Sequence, residues 1–358
     1  MAPSPPARQP RLARLHGAAV RAWAEASLAA LGEERTTIDA LNVFPVPDGD
    51  TGTNMFLTVE SACAAIDSVC DEVEALGGRP SVEAITGAMS RGALLGARGN
   101  SGVILAQIIR GVASVLAGVP EGAELTPALI RAAMRSASDE AYVAVSRPVE
   151  GTILSVARAA AEAAEAAESA GEDIVAVIEQ AVDASHDALA LTTEQLAVLR
   201  DAGVVDAGGQ GLVVVYDALL DVVTGVRRRR PGRALRAKLP APTRGPALAP
   251  GNAADPSYEV MYLLRADTAG VVALRSDLEG LGDSVMITGD ETLWNVHVHV
   301  HDAGAAIEAG LAIGRVERIR VTYLAHAAPA QLPEGRRVVI VTHGPGTAAL
   351  VVEQGALV

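Results

Sequence analysis

Aromatic residues are scarce. They make up 3% of the 358 positions, with Phe 2, Trp 2 and Tyr 5, so a core has to be assembled from Ala, Val, Leu and Ile. Cysteine occurs only twice, which excludes a disulfide scaffold. Cys63 and Cys70, seven apart on an expected helix, are separated by a rise of roughly 10 Å, too far to bridge. That usage fits a reducing, cytoplasmic chain. Basic residues are outnumbered: Lys+Arg 29 against Asp+Glu 43 leaves a formal charge of −14. A chain that acidic is not expected to bind nucleic acid as a whole. Long apolar runs are also missing. No stretch reaches the roughly 18–20 residues of a membrane helix. The best candidate, Gly211 to Val223, is broken by Asp217 and Asp221, so no transmembrane segment is expected.

What is present is a chain that is 50% hydrophobic, enough for a sizeable core, and long enough for two or three domains. Residues 1–23 carry Arg8, Arg11, Arg14 and Arg21 without an acidic residue, as transit peptides do. Against that, Leu12 to Leu31 has helical periodicity and runs on without a cleavage-like break. It reads as an ordinary first helix behind a frayed Pro-rich tail over 1–10.

The expected architecture is multidomain, α followed by α+β. Residues 11–226 read as all helix, six to eight of them, broken by glycine-rich stretches at Pro45–Gly52, Gly77–Pro80, Gly96–Gly102, Pro148–Gly151 and Gly203–Gly211. Residues 227–257 hold six prolines and eight Lys/Arg with Asp255 the only acid. This is a solvated linker or, on the run Arg227–Arg230, a basic patch. From Tyr258 the period changes to two. Strands are expected at Tyr258–Arg265, Ser284–Thr288, Trp294–Val300 and Ile319–Leu324, with helices at Gly270–Leu281 and Ala303–Ile313 between them. The order β-α-β-β-α-β is the split β-α-β arrangement, placed over 258–330. Residues 331–358 add one apolar strand, Arg337–Val341, and one helical segment, read as the start of an incomplete α/β domain.

The sharpest chemical signal is Asn42-Val-Phe-Pro-Val-Pro-Asp48-Gly-Asp50-Thr-Gly-Thr-Asn54-Met55. Two carboxylates one glycine apart, in a proline-stiffened loop, are hard oxygen ligands suited to Mg²⁺. Thr51-Gly52-Thr53-Asn54 opens a helix whose free N–H groups can receive phosphate oxygens. An Asx-rich turn with an N-cap would show the same letters. Gly96–Gly102, with Asn100 and Ser101, precedes another apolar helix. So do Arg147–Thr152 and Val204–Gly211, the latter offering Asp206 beside Gly208. Four such helix starts in one helical domain point to a nucleotide site at the end of a bundle. His297, His299 and His301 alternate with valines, so they share one face of a strand. They form either a metal site or the polar outer face of an antiparallel sheet. In the split arrangement the first and third strands are antiparallel neighbours, which brings Glu259 beside His299.

Residues 32–226 resemble the nucleotide-binding (DhaL-like) domain of dihydroxyacetone kinases, and specifically that of the bacterial fatty acid kinase ATP-binding subunit. The match rests on Leu41–Met55, Gly96–Gly102, Arg147–Thr152 and Val204–Gly211. Leu281-Gly-Asp-Ser284 and Val296-His-Val-His299 are similar to the second domain of those kinases. The resemblance implies an antiparallel helical barrel that binds ATP through two Mg²⁺ ions. Asp48 and Asp50 would be the ligands, with Asn42 nearest to a third upstream carboxylate. Thr51–Asn54 and Asn100–Gly102 would hold phosphates, and Thr152, Asp206 and Gly208 would border the nucleoside. Related kinases carry a cysteine at the Glu259 position, forming a Zn²⁺ site with two histidines. Here Glu259, His297 and His299 would take that part, His297 and His299 serving transfer indirectly. The implied reaction is phosphorylation of a fatty acid presented by a fatty-acid-binding (DegV-type) partner, by a kinase that is a homodimer when full length. Two other functions fit: a dihydroxyacetone (glycerone) kinase component, or a non-catalytic nucleotide-binding regulator.

Overall fold

The computed structural model describes residues 12–226, 256–289 and 292–324. The expected tail over 1–10, nearly all of the 227–257 linker and the 331–358 segment lie outside the described residues.

Nine helices occur in the first described stretch: α1 Gly17–Leu41, α2 Thr51–Ala75, α3 Val82–Gly96, α4 Gly99–Ala117, α5 Pro127–Ala144, α6 Ile153–Ser169, α7 Ile174–Gln195, α8 Ala197–Ala202 and α9 Ala207–Thr224. Their starts follow from capping. Ser81, Thr126, Asp173 and Asp206 each accept a backbone N–H from the first turn that they precede. Gly203 and Gly225 end helices in the left-handed conformation. Each long helix touches the next in the chain, and α9 returns to α1, closing the circuit. Alanine makes this close packing workable. Ala157, Ala160, Ala161 and Ala164 of α6 are fully buried, so neighbouring helices approach without aromatic filling.

Two sequence expectations change here. The glycine-rich stretch up to Gly211 is not all loop: the Asp206 cap starts α9 at Ala207, so residues counted as a break are helical. α4 and α9 are also long and apolar enough to cross a membrane by length and composition. Both tolerate a charge or two in the window, which a criterion of uninterrupted apolar runs does not see. They are mostly buried among the other helices.

The second stretch forms β1 Tyr258–Arg265, α10 Thr268–Leu281, β2 Gly282–Gly289, β3 Leu293–Val300, α11 Ala303–Ile313 and β4 Arg315–Tyr323. The strands make one antiparallel sheet in the order β2-β3-β1-β4. Val260, Tyr262, Leu264, Val296, Val298 and Val300 face α10 and α11 in one core. Met261 and Met286 join the core of the helical domain instead. The histidine face is therefore no solvent surface. Burial of every residue from Asn295 to Val300 follows from the helical domain covering it.

The two units are tied by polar contacts. Asn295 Nδ2 donates to the Leu94 carbonyl at 3.0 Å, Arg110 Nη1 to that of Gly289 at 2.6 Å, and Ser146 Oγ to that of Val285 at 2.9 Å.

Candidate functional site

A cavity of about 280 Å³ opens where the N-termini of α2 and α4 meet the sheet. Its helical wall contains Asn42, Asp48, Asp50, Thr51, Asn54, Asn100 and Ser101. Thr152, Asp206 and Gly208 line it from α6 and α9, and Glu259 and His299 from the sheet. Four predicted residues, Gly52, Thr53, Gly102 and His297, are not part of this wall. Gly52 and Gly102 are contact points between helices: a Cβ would strike the Arg35 carbonyl at the first and Thr58 Oγ1, 2.6 Å away, at the second.

The loop 42–50 delivers the two carboxylates. Asn42 Nδ2 donates to Asp48 Oδ1 in a short hydrogen bond, so the amide spends its nitrogen on orienting the acid. Asp50 is hydrogen-bonded to Asp48 and to the Asn54 side chain. Asp48 keeps solvent contact, yet the cavity wall desolvates its carboxyl. That desolvation and the adjacent Asp50 charge push it up to about 7. Asp50 is raised as well, by burial first and then by Glu259 and Asp39. Two acids that resist ionising together form a donor set that a hard divalent cation relieves. The residues present fit Mg²⁺.

Asp39 carries no motif in the sequence. It sits in the last turn of α1 and accepts from Thr53 N at 2.9 Å and Thr53 Oγ1 at 2.8 Å. This fixes the start of α2 and occupies Thr53. A carboxylate at the negative end of a helix is unfavourable, and that misfit is the signal the letters offer. Gly99 has φ +56, and a Cβ there would collide with the Asn54 amide. Only glycine lets α4 begin so close to Asn54. Asp206 is buried, capping α9 through Gly209 N at 2.7 Å, and burial raises its carboxyl to about 6.

On the sheet wall β1 and β3 pair Glu259 with His299 and Met261 with His297. The ligand atoms of Glu259, His297 and His299 all lie within 4.8 Å of one another. His297 Nε2 is 3.2 Å from His299 Nε2, and His297 Nδ1 is 3.6 Å from Glu259 Oε1. Burial lowers His297 to about 3. Burial first, then the neighbouring His297, lowers His299 to about 4. Both rings are therefore neutral at neutral pH, as ligands must be. His297 Nδ1 is buried without a hydrogen-bond partner. The donor set fits Zn²⁺. His301 is exposed and outside it. Asp283, also on the wall, has Oδ1 3.8 Å from His299 Nδ1.

Comparison with known proteins defines the class first. The family described as DAK2 domain matches residues 45–221, and the FakA-like middle domain, of fatty acid kinase type, matches residues 255–330. The chain is 35% identical to protein YloV of Bacillus subtilis over 315 residues, 84% of this chain and 54% of that one. It is 33% identical over 297 residues to the uncharacterized protein SH1689 of Staphylococcus haemolyticus, covering 81% and 52%. The chain thus spans about half the length of the curated relatives it matches. The crystal structure of the dihydroxyacetone kinase of C. freundii overlaps at TM-score 0.38 and 20% identity, over 62% of this chain and 37% of that one. An overlap that slight defines neither fold nor function. With both domain types present in order, the chain belongs to the FakA-like fatty acid kinase family, a branch of the DAK2-type kinase families.

Proposed function

We propose that this chain is the ATP-binding subunit of a fatty acid kinase, and that it moves the γ-phosphoryl group of ATP to a fatty acid carboxylate held by a separate fatty-acid-binding partner. The observation that carries this reading is the single cavity shared by both domains. It combines an Asp48–Asp50 pair, two helix N-termini and a buried nucleoside-sized border at Thr152, Asp206 and Gly208. Asp48 and Asp50 would hold Mg²⁺, and Asn42 would keep Asp48 aimed. Bound there, Mg²⁺ neutralises phosphate charge and orients the group to be transferred. Thr51 and Asn54 on α2, with Asn100 and Ser101 on α4, offer N–H and side-chain donors to phosphate oxygens.

A carboxylate acceptor has no proton to lose, so transfer requires no general base. That agrees with a wall whose histidines are buried and neutral. Glu259, His297 and His299 would hold Zn²⁺, which supplies a fixed positive charge behind the sheet. Acyl-chain capture by a partner agrees with the other described cavity, about 60 Å³ and lined by apolar residues including Leu15, Trp23 and Tyr216. It has room for about two waters, far less than a fatty acid tail.

The test is ATP consumption by the full chain with palmitate, with and without a lipid-binding partner, the acyl phosphate being trapped by hydroxylamine. Partner-dependent hydroxamate is the expected result. Transfer to glycerone with no hydroxamate would replace this reading by the dihydroxyacetone type, and nucleotide binding without any transfer by a regulatory one.

A further inference from the structure

The cavity wall has an unusual charge inventory. Six carboxylates border it, Asp48, Asp50, Asp206, Glu259, Glu279 and Asp283, against one Lys or Arg, Arg147. An arginine among that many acids ordinarily pairs with one of them. Arg147 is exposed and makes no hydrogen bond or ion pair among the described residues. Its neighbours, in contrast, are fastened on both sides.

On the N-terminal side Val145 forms a β-bridge with Met286. Ser146 Oγ donates to the Val285 carbonyl at 2.9 Å, and Arg275 donates to Ser146 Oγ at 2.9 Å and to the Ile287 carbonyl at 3.1 Å. On the C-terminal side Pro148 restricts the backbone. Glu150 then accepts from Tyr142 at 3.1 Å, Ser155 at 2.6 Å and both Arg158 Nη atoms at 2.8 and 2.6 Å. The loop is thus clamped between β2 and α6, and the side chain at its centre is left uncommitted. Fixing a backbone while leaving its guanidinium unpaired makes no contribution to the fold. It is what a preorganised anion contact requires, because the ordering cost is met before the anion arrives.

We propose that Arg147 is a catalytic residue whose guanidinium contacts the γ-phosphoryl group of bound nucleotide. This rests on the phosphoryl-transfer reading above. In the transfer, the bond from Pγ to the bridging oxygen of ADP breaks, and its electron pair leaves with ADP. An oxygen of the acceptor carboxylate forms the new bond to Pγ. Arg147 stays protonated throughout and offsets the charge spread over the equatorial oxygens. The planar fork suits two of those oxygens at once, which a lysine cannot match. Because Ser146 is tied to Val285, the sheet domain sets where this cation stands.

The experiment is titration calorimetry of the full chain with MgATP and with MgADP, comparing wild type, Arg147→Ala and Arg147→Lys. A contact to the γ-phosphoryl group weakens MgATP by roughly 10-fold more than MgADP in Arg147→Ala, with Arg147→Lys between. The thermal midpoint should not move, since Arg147 holds nothing in the free protein. Equal weakening of both nucleotides, or none, overturns the assignment while wild-type MgATP binding leaves the kinase reading standing. The same holds if the ATP-to-ADP ratio is unchanged and only palmitate binding is lost, because the guanidinium then serves the acceptor. Wild-type protein that binds neither nucleotide overturns both.

Discussion

The two acid-containing clusters on the cavity wall are held in opposite ways. Asp48 and Asp50 sit on a loop at a helix start, each disfavouring the other's charge, with only Asn42 and Asn54 to steady them. Glu259, His297 and His299 sit on paired central strands, in a register fixed along eight residue pairs, and two of the three are neutral. The first cluster is electrostatically unsatisfied until a cation arrives. The second is a rigid, partly nitrogenous cage, orphaned at His297 Nδ1. Hard oxygens on a loop suit an exchangeable Mg²⁺ that comes and goes with nucleotide. Imidazoles on a sheet suit a resident Zn²⁺. Position on the scaffold, as much as ligand type, separates a working ion from a structural one.

Breaking the loop cluster should have the largest effect. Asp48→Ala or Asp50→Ala is expected to lower MgATP-dependent turnover by about 10³-fold or more, since the metal supplies several kcal/mol of charge stabilisation. The far-ultraviolet circular dichroism should be unchanged. Asp50→Asn sharpens the contrast. It removes a like charge, so the metal-free protein should melt no lower than wild type while its Mg²⁺ response is lost. Turnover within a few fold of wild type in both alanine variants would remove the carboxylate pair from the mechanism.

The sheet cluster should fail differently. His297→Ala and His299→Ala are each expected to lose zinc from the purified full chain at neutral pH while MgATP binding persists. Glu259→Cys should hold zinc more tightly through the softer thiolate. Metal analysis after dialysis decides it. A wild-type chain without stoichiometric zinc would leave Glu259, His297 and His299 as a packed polar layer between domains.

Much of this arrangement is legible in the letters because it is local. The period-two segments mark β1 with the bounds Tyr258–Arg265, and the β-α-β-β-α-β order by itself puts Glu259 opposite His299. The two carboxylates announce themselves by their spacing. What is not legible is long-range. Nothing in Val296-His-Val-His-Val-His says that a helical domain will cover the histidine side. An alternating strand reads the same whether water or protein faces it. Asp39 is fourteen residues from Thr53, and Asp283 reaches the wall only through the fold. The start of α9 is misread from the letters because a glycine run outweighs the aspartate cap before it.

Asp206 gives a smaller, pH-dependent contrast inside the helical domain. Burial raises its folded-state carboxyl to about 6 from an ordinary 3.8. The unfolded chain therefore releases this proton more readily, and folding stability falls as pH rises from about 4 through 6. Fully expressed, the shift corresponds to on the order of 3 kcal/mol. Asp206→Asn can still cap α9 but has no proton to lose, so its stability should be flatter across that interval. Parallel denaturation curves for the two proteins at pH 4, 5, 6 and 7 would contradict this account.

The smallest expected effect tests whether the two clusters depend on a shared frame. Arg110 of α4 ion-pairs with Glu140 of α5 and donates to the Gly289 carbonyl at the end of β2. It is about one-third exposed, so its charge is partly screened. Removing it should cost only about 1–2 kcal/mol, chiefly from the polar groups left unpaired. Arg110→Ala leaves both metal-capable clusters intact and loosens only the seam between them. Exchange of the β2 amides should accelerate while those of β1, in the sheet centre, stay protected. If the seam carries the alignment of Glu259 with Asp50, nucleotide affinity should fall modestly and zinc retention should not. Equal loss of both would mean that the sheet domain needs the helical one to hold its own fold.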